Sequence, residues 1–128
     1  MQADEVAQPF HRDGWVFEEK YAGWRMVVYK DGTVVRLVSR AGKEHSRRFP
    51  ELAAAVCGLP LMLILDGEVA IFDERLVSRF EWFRKRRENV GSTPPIYMAF
   101  DCLYLEGRGL RQLPLRERRE NCVKSDLR

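Results

Sequence analysis

The sequence predicts an α+β fold built on an antiparallel sheet with flanking helices. Apolar runs of strand length outnumber helical segments, short turn signals such as Asp31-Gly32 join them into hairpins, and no internal repeat interrupts the pattern. The 128 residues are 45% hydrophobic, enough for a real core, so the chain is one domain or a part of one.

Residues 1–13, polar and containing Pro9, read as a flexible lead-in, and residues 14–128 as the domain. Trp15 to Glu19 is predicted to be a strand. Trp24 to Lys30 and Thr33 to Ser39 flank Asp31-Gly32, the strongest hairpin signal in the chain. Trp24, Met26 and Val28 share one face and Arg25, Val27 and Tyr29 the other, and the bulk on both predicts packing on both sides. A helix is expected over 46–56, with Pro50 in its first turn, the alanines 53–55 inside it and Gly58 as its stop. Leu61 to Phe72 reads as a long strand interrupted at Gly67, where a bulge or close backbone approach is expected.

Ser78 and Glu81 form a capping-box pattern for a second helix to about Asn89, with Val77 and Trp82 as its hydrophobic staple. After the loop 91–95, Ile96 to Leu105 is another apolar strand, turned by Glu106-Gly107-Arg108-Gly109, and Leu115 to Arg128 is a charged, fraying helix.

Composition excludes several classes. Three widely spaced cysteines and two histidines form neither a disulfide frame nor a zinc site, and suit free thiols in a reducing cytoplasm. No run approaches a membrane span, and the first nine residues lack the apolar core of a signal peptide. The net charge of +3 is gathered in basic clusters at 47–48, 84–87 and 116–119. Such clusters can meet phosphates, but on helices they are more often solvated faces.

Several side chains could carry chemistry. Lys20, among aromatics on a short turn, is a potential nucleophile if partly desolvated or set near a cation such as Arg25; a lone lysine at a strand end is more often a surface residue. Glu68, inside an apolar run, is costly to bury unless a ligand hydroxyl, a metal or Arg25 satisfies it, although Asp66-Gly67 also reads as a turn. Phe100, next to Asp101, could stack on a base, as readily as it could be a core side chain. Arg40 is a loop arginine able to meet phosphate.

These residues fall in one order: Glu18-x-Lys20-x-x-Gly23-x-Arg25, Ser39-Arg40-x-Gly42, Arg48-Phe49-Pro50-Glu51-Leu52, Leu65-Asp66-Gly67-Glu68-Val69, Phe100 to Gly107 and Leu113 to Arg119. The collinear set resembles the adenylation domain of ATP-dependent DNA ligases, and within it the ligase module of bacterial end-joining ligase D, from about Trp15 to Arg119. The resemblance implies a nucleotidyltransferase fold in which Lys20 attacks the α-phosphorus of ATP, with Mg²⁺ or Mn²⁺. It places Glu18 at the adenine edge, Arg25 and Arg40 on the nucleotide and then the DNA 5′-phosphate, Glu68 on ribose and metal, and Phe100 stacked on adenine. It implies nicked or broken duplex DNA as substrate, and as partners a complementary ligase chain or end-joining proteins.

Two departures qualify that expectation. Ala22 stands where the family pattern has aspartate. The family's second glutamate-glycine strand, its phosphate-binding lysines and its OB-fold domain have no counterpart here, so a partial nucleotidyltransferase domain is expected. Catalysis would then be impaired, or reduced to a nucleotide- or DNA-binding accessory role. An exposed apolar face or edge is expected with it, which a homodimer could hide.

Overall fold

The computed structural model describes residues 4–84 and 92–124. Five strands form one antiparallel sheet in the order β2-β1-β3-β4-β5. They are β1 (Trp24–Asp31), β2 (Val34–Ser39), β3 (Leu63–Ala70), β4 (Ile96–Leu105) and β5 (Arg108–Gly109). Two α-helices accompany them, α1 (Pro50–Cys57) and α2 (Leu115–Lys124).

The Asp31-Gly32 signal closes the β1–β2 hairpin as expected, with Asp31 opposite Val34 and Gly32 at φ 56°. Strand alternation then divides the sheet. Met26, Val28, Leu37, Leu63, Leu65 and Val69 are buried with Phe49, Val56, Cys102 and Leu110 in one core. The hairpin packs on one face only: Arg25 and Tyr29 are exposed and Val27 half-buried, so the expectation of packing on both sides fails. Lys30 is buried, its ammonium donating to the Gly32 carbonyl at 2.8 Å, so a charged side chain follows the core face by carrying its charge to the turn.

Helix α1 starts at Pro50 rather than residue 46, because proline suits the first turn and residues 46–48 form a turn closed by the Arg48 N–H on the His45 carbonyl. Strand β3 runs through Gly67 without a break. The close approach expected there is real: a Cβ at Gly67 would lie 2.5 Å from the Met98 carbonyl oxygen and 2.6 Å from the Tyr97 ring, and the register with β4 shifts between Asp66 and Gly67. Tyr97 uses that space, its single hydroxyl proton shared between the carbonyls of Met26 (3.0 Å) and Leu65 (3.2 Å).

Other sequence expectations are corrected. Trp15 to Glu19 is not a strand. Trp15, Val16 and Phe17 are exposed, and among the described residues no neighbour supplies a hydrogen-bonding ladder, without which β-propensity has nothing to act on. The helix expected from Ser78 is a 3₁₀ turn, Phe80–Phe83, with Arg79 at its start and no side-chain cap. Ser78 bridges to Phe72 instead, the Arg79 N–H is drawn to the Ile71 carbonyl, and three aromatics in four residues favour helix weakly. The expected staple is replaced by edge-to-face contacts of Phe83 with Trp24 and Phe49. The remainder of that predicted helix, the 85–87 part of its basic cluster, and residues 125–128 lie outside the described residues.

Arg47, Arg84 and Arg116 are exposed, as a solvated face predicts, but other arginines of the basic clusters are engaged. Arg48 stacks over Trp24 and donates to the Phe83 carbonyl, and Arg118 forks onto Asp101 at 2.7 and 2.8 Å. Cys102 is buried and Cys57 and Cys122 half-buried, and none of the three is in a disulfide. Outside β3, β4 has a strand partner among the described residues only at Tyr104 and Leu105, and beyond them its Leu103 carbonyl accepts the Leu110 N–H and its Phe100 carbonyl accepts from Arg119. No helix among the described residues is long and apolar enough to cross a membrane.

Candidate functional site

The open face of the sheet gathers charge where the other face gathers apolar side chains. Antiparallel pairing sets Arg25 directly opposite Glu68, and Val27 opposite Asp66. Paired residues share a face, so Arg25, Asp66 and Glu68 stand together there. Arg25 bonds the diagonal neighbour rather than the opposite one: Nε reaches Asp66 Oδ1 at 2.9 Å and Nη2 reaches Oδ2 at 2.6 Å. That two-point fork holds the guanidinium in place while leaving its side chain 44% exposed. Its carbon lies 5.0 Å from the centre of the Phe100 ring, placing a cation over an aromatic face.

Glu68 is satisfied by the main chain. Its Oε1 accepts the Gly23 N–H at 3.0 Å, which leaves the second oxygen for other partners. Burial pushes its pKa above the usual carboxylate value, while the Gly23 N–H and the charges of Arg25 and Lys20 pull it back down. The turn reading of Asp66-Gly67 is therefore wrong, since both lie inside β3.

Lys20 sits on the exposed stretch leading into β1, and the three residues after it are fixed in turn. The Tyr21 ring packs edge-on against Phe72, the Ala22 N–H donates to Ser78 Oγ at 2.7 Å, and the Gly23 N–H meets Glu68. Gly23 allows this because the chain passes against β3. A Cβ there would lie 2.2 Å from the Val69 carbonyl oxygen and 3.0 Å from Glu68 Cγ. The charge of Lys20 acts on Glu68 in consequence.

Arg40 follows Ser39, the β2 partner of Met26, and so lies one register step on, beside the Arg25 end of β1. It belongs to the turn closed by Gly42. Glu18 pairs with Arg119 of α2.

The structure thus brings Arg25, Glu68 and Phe100 together, with Lys20 close enough to influence Glu68. It does not gather them in one concavity flanked by helices. The open cleft of about 800 Å³ is lined by α1, β4, α2 and Phe17 to Tyr21 without Lys20, and takes in Glu18 and Phe100 but neither Arg25, Arg40 nor Glu68. We place the candidate chemistry on the open face, where the cationic and acidic groups meet, rather than in the more apolar cleft. Sequence reasoning missed Asp66 as the partner of Arg25 and Ser78 as the anchor of Ala22. Strand alternation could have put Asp66 on the face of Glu68, but nothing local marks Ser78.

Residues 1–125 match the family described as ATP dependent DNA ligase domain. The multifunctional non-homologous end joining protein LigD of Mycobacterium bovis is 36% identical over 107 residues, 83% of this chain and 14% of that protein. LigD of Pseudomonas aeruginosa is 36% identical over 118 residues, and DNA ligase C1 of Mycolicibacterium smegmatis is 35% identical over a stretch covering 37% of that protein. The ligase domain of Mycobacterium tuberculosis LigD superposes with a TM-score of 0.74 at 31% identity, covering 84% of this chain and 35% of that one. A mycobacterial DNA ligase D complexed with ATP and MES gives the same TM-score at 32% identity. The chain therefore spans between 14% and 37% of the length of these relatives. The family match over residues 1–125, these relatives and the superposed ligase domain agree, and the chain belongs to the ATP-dependent DNA ligase domain family.

Proposed function

We propose that the open sheet face binds ATP and that Lys20 is the nucleophile of a lysine-adenylation reaction. The observation carrying this reading is the Gly23 N–H bond to Glu68, which ties the stretch after Lys20 to the carboxylate paired with Arg25 across β1 and β3. In the proposed step the Lys20 amine attacks the α-phosphorus of ATP. A nitrogen–phosphorus bond forms, the bond from that phosphorus to the bridging oxygen breaks, pyrophosphate leaves, and the amine gives up its proton. Phe100 offers a ring face to adenine, Glu68 its second oxygen to ribose or metal, and Arg25 and Arg40 their guanidinium groups to phosphate.

Among the described residues no three acidic, histidine or cysteine side chains meet to cage a cation. Glu68 alone suits a Mg²⁺ or Mn²⁺ ion that takes most of its ligands from nucleotide phosphates and water. Such an ion would supply charge neutralisation at the triphosphate. Transfer of AMP from Lys20 to the 5′-phosphate of nicked or broken duplex DNA would follow, in strand joining and repair. A complementary ligase chain, end-joining proteins or a second copy of this chain would serve as partners.

A second reading, a nucleotide- or DNA-binding module with little or no catalysis, is favoured by Ala22 in the aspartate position of the family pattern and by Arg25, whose fork is already engaged by Asp66. Intact-protein mass spectrometry after incubation with ATP and Mg²⁺ separates the two. Adenylation predicts a gain of one AMP in the wild type and none in Lys20→Ala. A folded wild type that gains nothing rejects lysine adenylation and leaves the binding module.

A further inference from the structure

We infer that Arg119 of α2 is a positioning residue for nucleotide binding, tying the Glu18 carboxylate to the main chain at Phe100. This rests on the reading of the open face as an ATP site, with Glu18, Phe100 and Arg119 lining the cleft that meets that face at the Phe100 ring. Arg119 Nε donates to the Phe100 carbonyl at 3.0 Å, and its Nη2 pairs with Glu18 Oε1. One guanidinium thus joins the residue two places before Lys20 to the strand position that carries the ring.

Docking of α2 does not need this contact. Arg118, one residue earlier, forks onto Asp101 and donates to the Leu113 carbonyl at 2.7 Å, with both side chains of that ion pair largely buried. Arg119 therefore adds something other than attachment of the helix. What it adds is a hold on the approach to Lys20. After Lys20 the chain is fixed by Ser78 and Glu68. Before it, residues 4–19 belong to no strand or helix and are exposed, and the Arg119 pair is a long-range tether on that side. An arginine suits the role, since its planar fork can serve a carboxylate and a carbonyl together, which a lysine ammonium does less well.

The test measures lysyl-AMP formation against ATP concentration, with ATP affinity by calorimetry and melting by circular dichroism, for wild type, Arg119→Ala, Arg119→Lys, Glu18→Gln and the Arg119→Ala/Glu18→Gln double variant. Arg119→Ala is expected to raise the ATP concentration giving half the limiting rate (KM) about fivefold, with the limiting rate of adduct formation within about twofold, as loss of uniform binding does. Arg119→Lys should fall between, and the double variant should be no worse than the worse single one, since both changes remove one coupling. A lowered Tm with unchanged KM, or additive effects in the double variant, overturns the inference and leaves a structural role. If Arg119→Ala does not fold, Arg119→Lys and Glu18→Gln decide on the same criterion. A wild type that binds ATP without adduct moves the readout to Kd. A wild type that neither binds nor reacts rejects the ATP site itself, and the inference with it.

Discussion

On one face of the sheet Met26, Val28 and Leu65 are buried against α1 and the Phe49 region, while one residue away along the same strands Arg25, Asp66 and Glu68 face outward. Both faces are ordered, but by different means. The buried face is held by apolar burial, which has no direction, and the open face by forks and single hydrogen bonds, which do. Alternation along β1 and β3 therefore places core and candidate site at adjacent positions. Substitutions one residue apart should report on different properties.

The sharpest contrast is Met26→Ala against Arg25→Gln. Emptying the fully buried Met26 site should cost about 3 kcal/mol by urea denaturation. Loss of the half-exposed Arg25 fork should cost about 1 kcal/mol while removing measurable ATP binding. Equal losses of stability would break the division between faces. Tyr97→Phe probes the buried polar device that spans β1 and β3. Removing a hydroxyl that serves two carbonyls should cost about 1–2 kcal/mol, read from the same denaturation curves. A neutral result would mean that those carbonyls are satisfied without it.

Glu68→Gln should give the smallest effect, and the one that depends on pH. The amide oxygen can still accept the Gly23 N–H, so the bond at the Lys20 turn is kept. Burial raises the Glu68 pKa, so its carboxyl favours the folded state below its ordinary value of 4.5 and loses that contribution as pH rises through the raised value. Wild type should therefore fall in stability relative to Glu68→Gln across that window. A difference that stays flat with pH would show that Glu68 is fully solvated.

Much of the sheet was legible because its signals are local. Asp31-Gly32 demanded a hairpin, Pro50 marked a helix start, and Gly67 in an apolar run marked close approach. Lys20, Arg25, Glu68 and Phe100 were legible as candidates because their residue types stand out against their surroundings. The failures share a cause. Trp15 to Glu19 has strand composition, but strand formation depends on a neighbour that composition cannot name. The pairing of Arg25 with Asp66 depends on register between β1 and β3, and that of Ala22 with Ser78 on a contact 56 residues away. Ser78 read as a helix cap because Glu81 follows it, whereas its hydroxyl was claimed by the distant chain.

That distance bears on when the site comes into being. The two amides that follow Lys20 are tied to groups 45 and 56 residues along the chain. Each tie requires a long loop to close before it returns any stability, and such contacts form slowly compared with a hairpin or a helical turn. The β1–β2 hairpin can assemble alone, but Lys20 acquires its place only when β3 and the Ser78 segment have docked. On the proposed adenylation reading, competence is a late event in folding, and a chain arrested at the hairpin stage holds the lysine without the reaction.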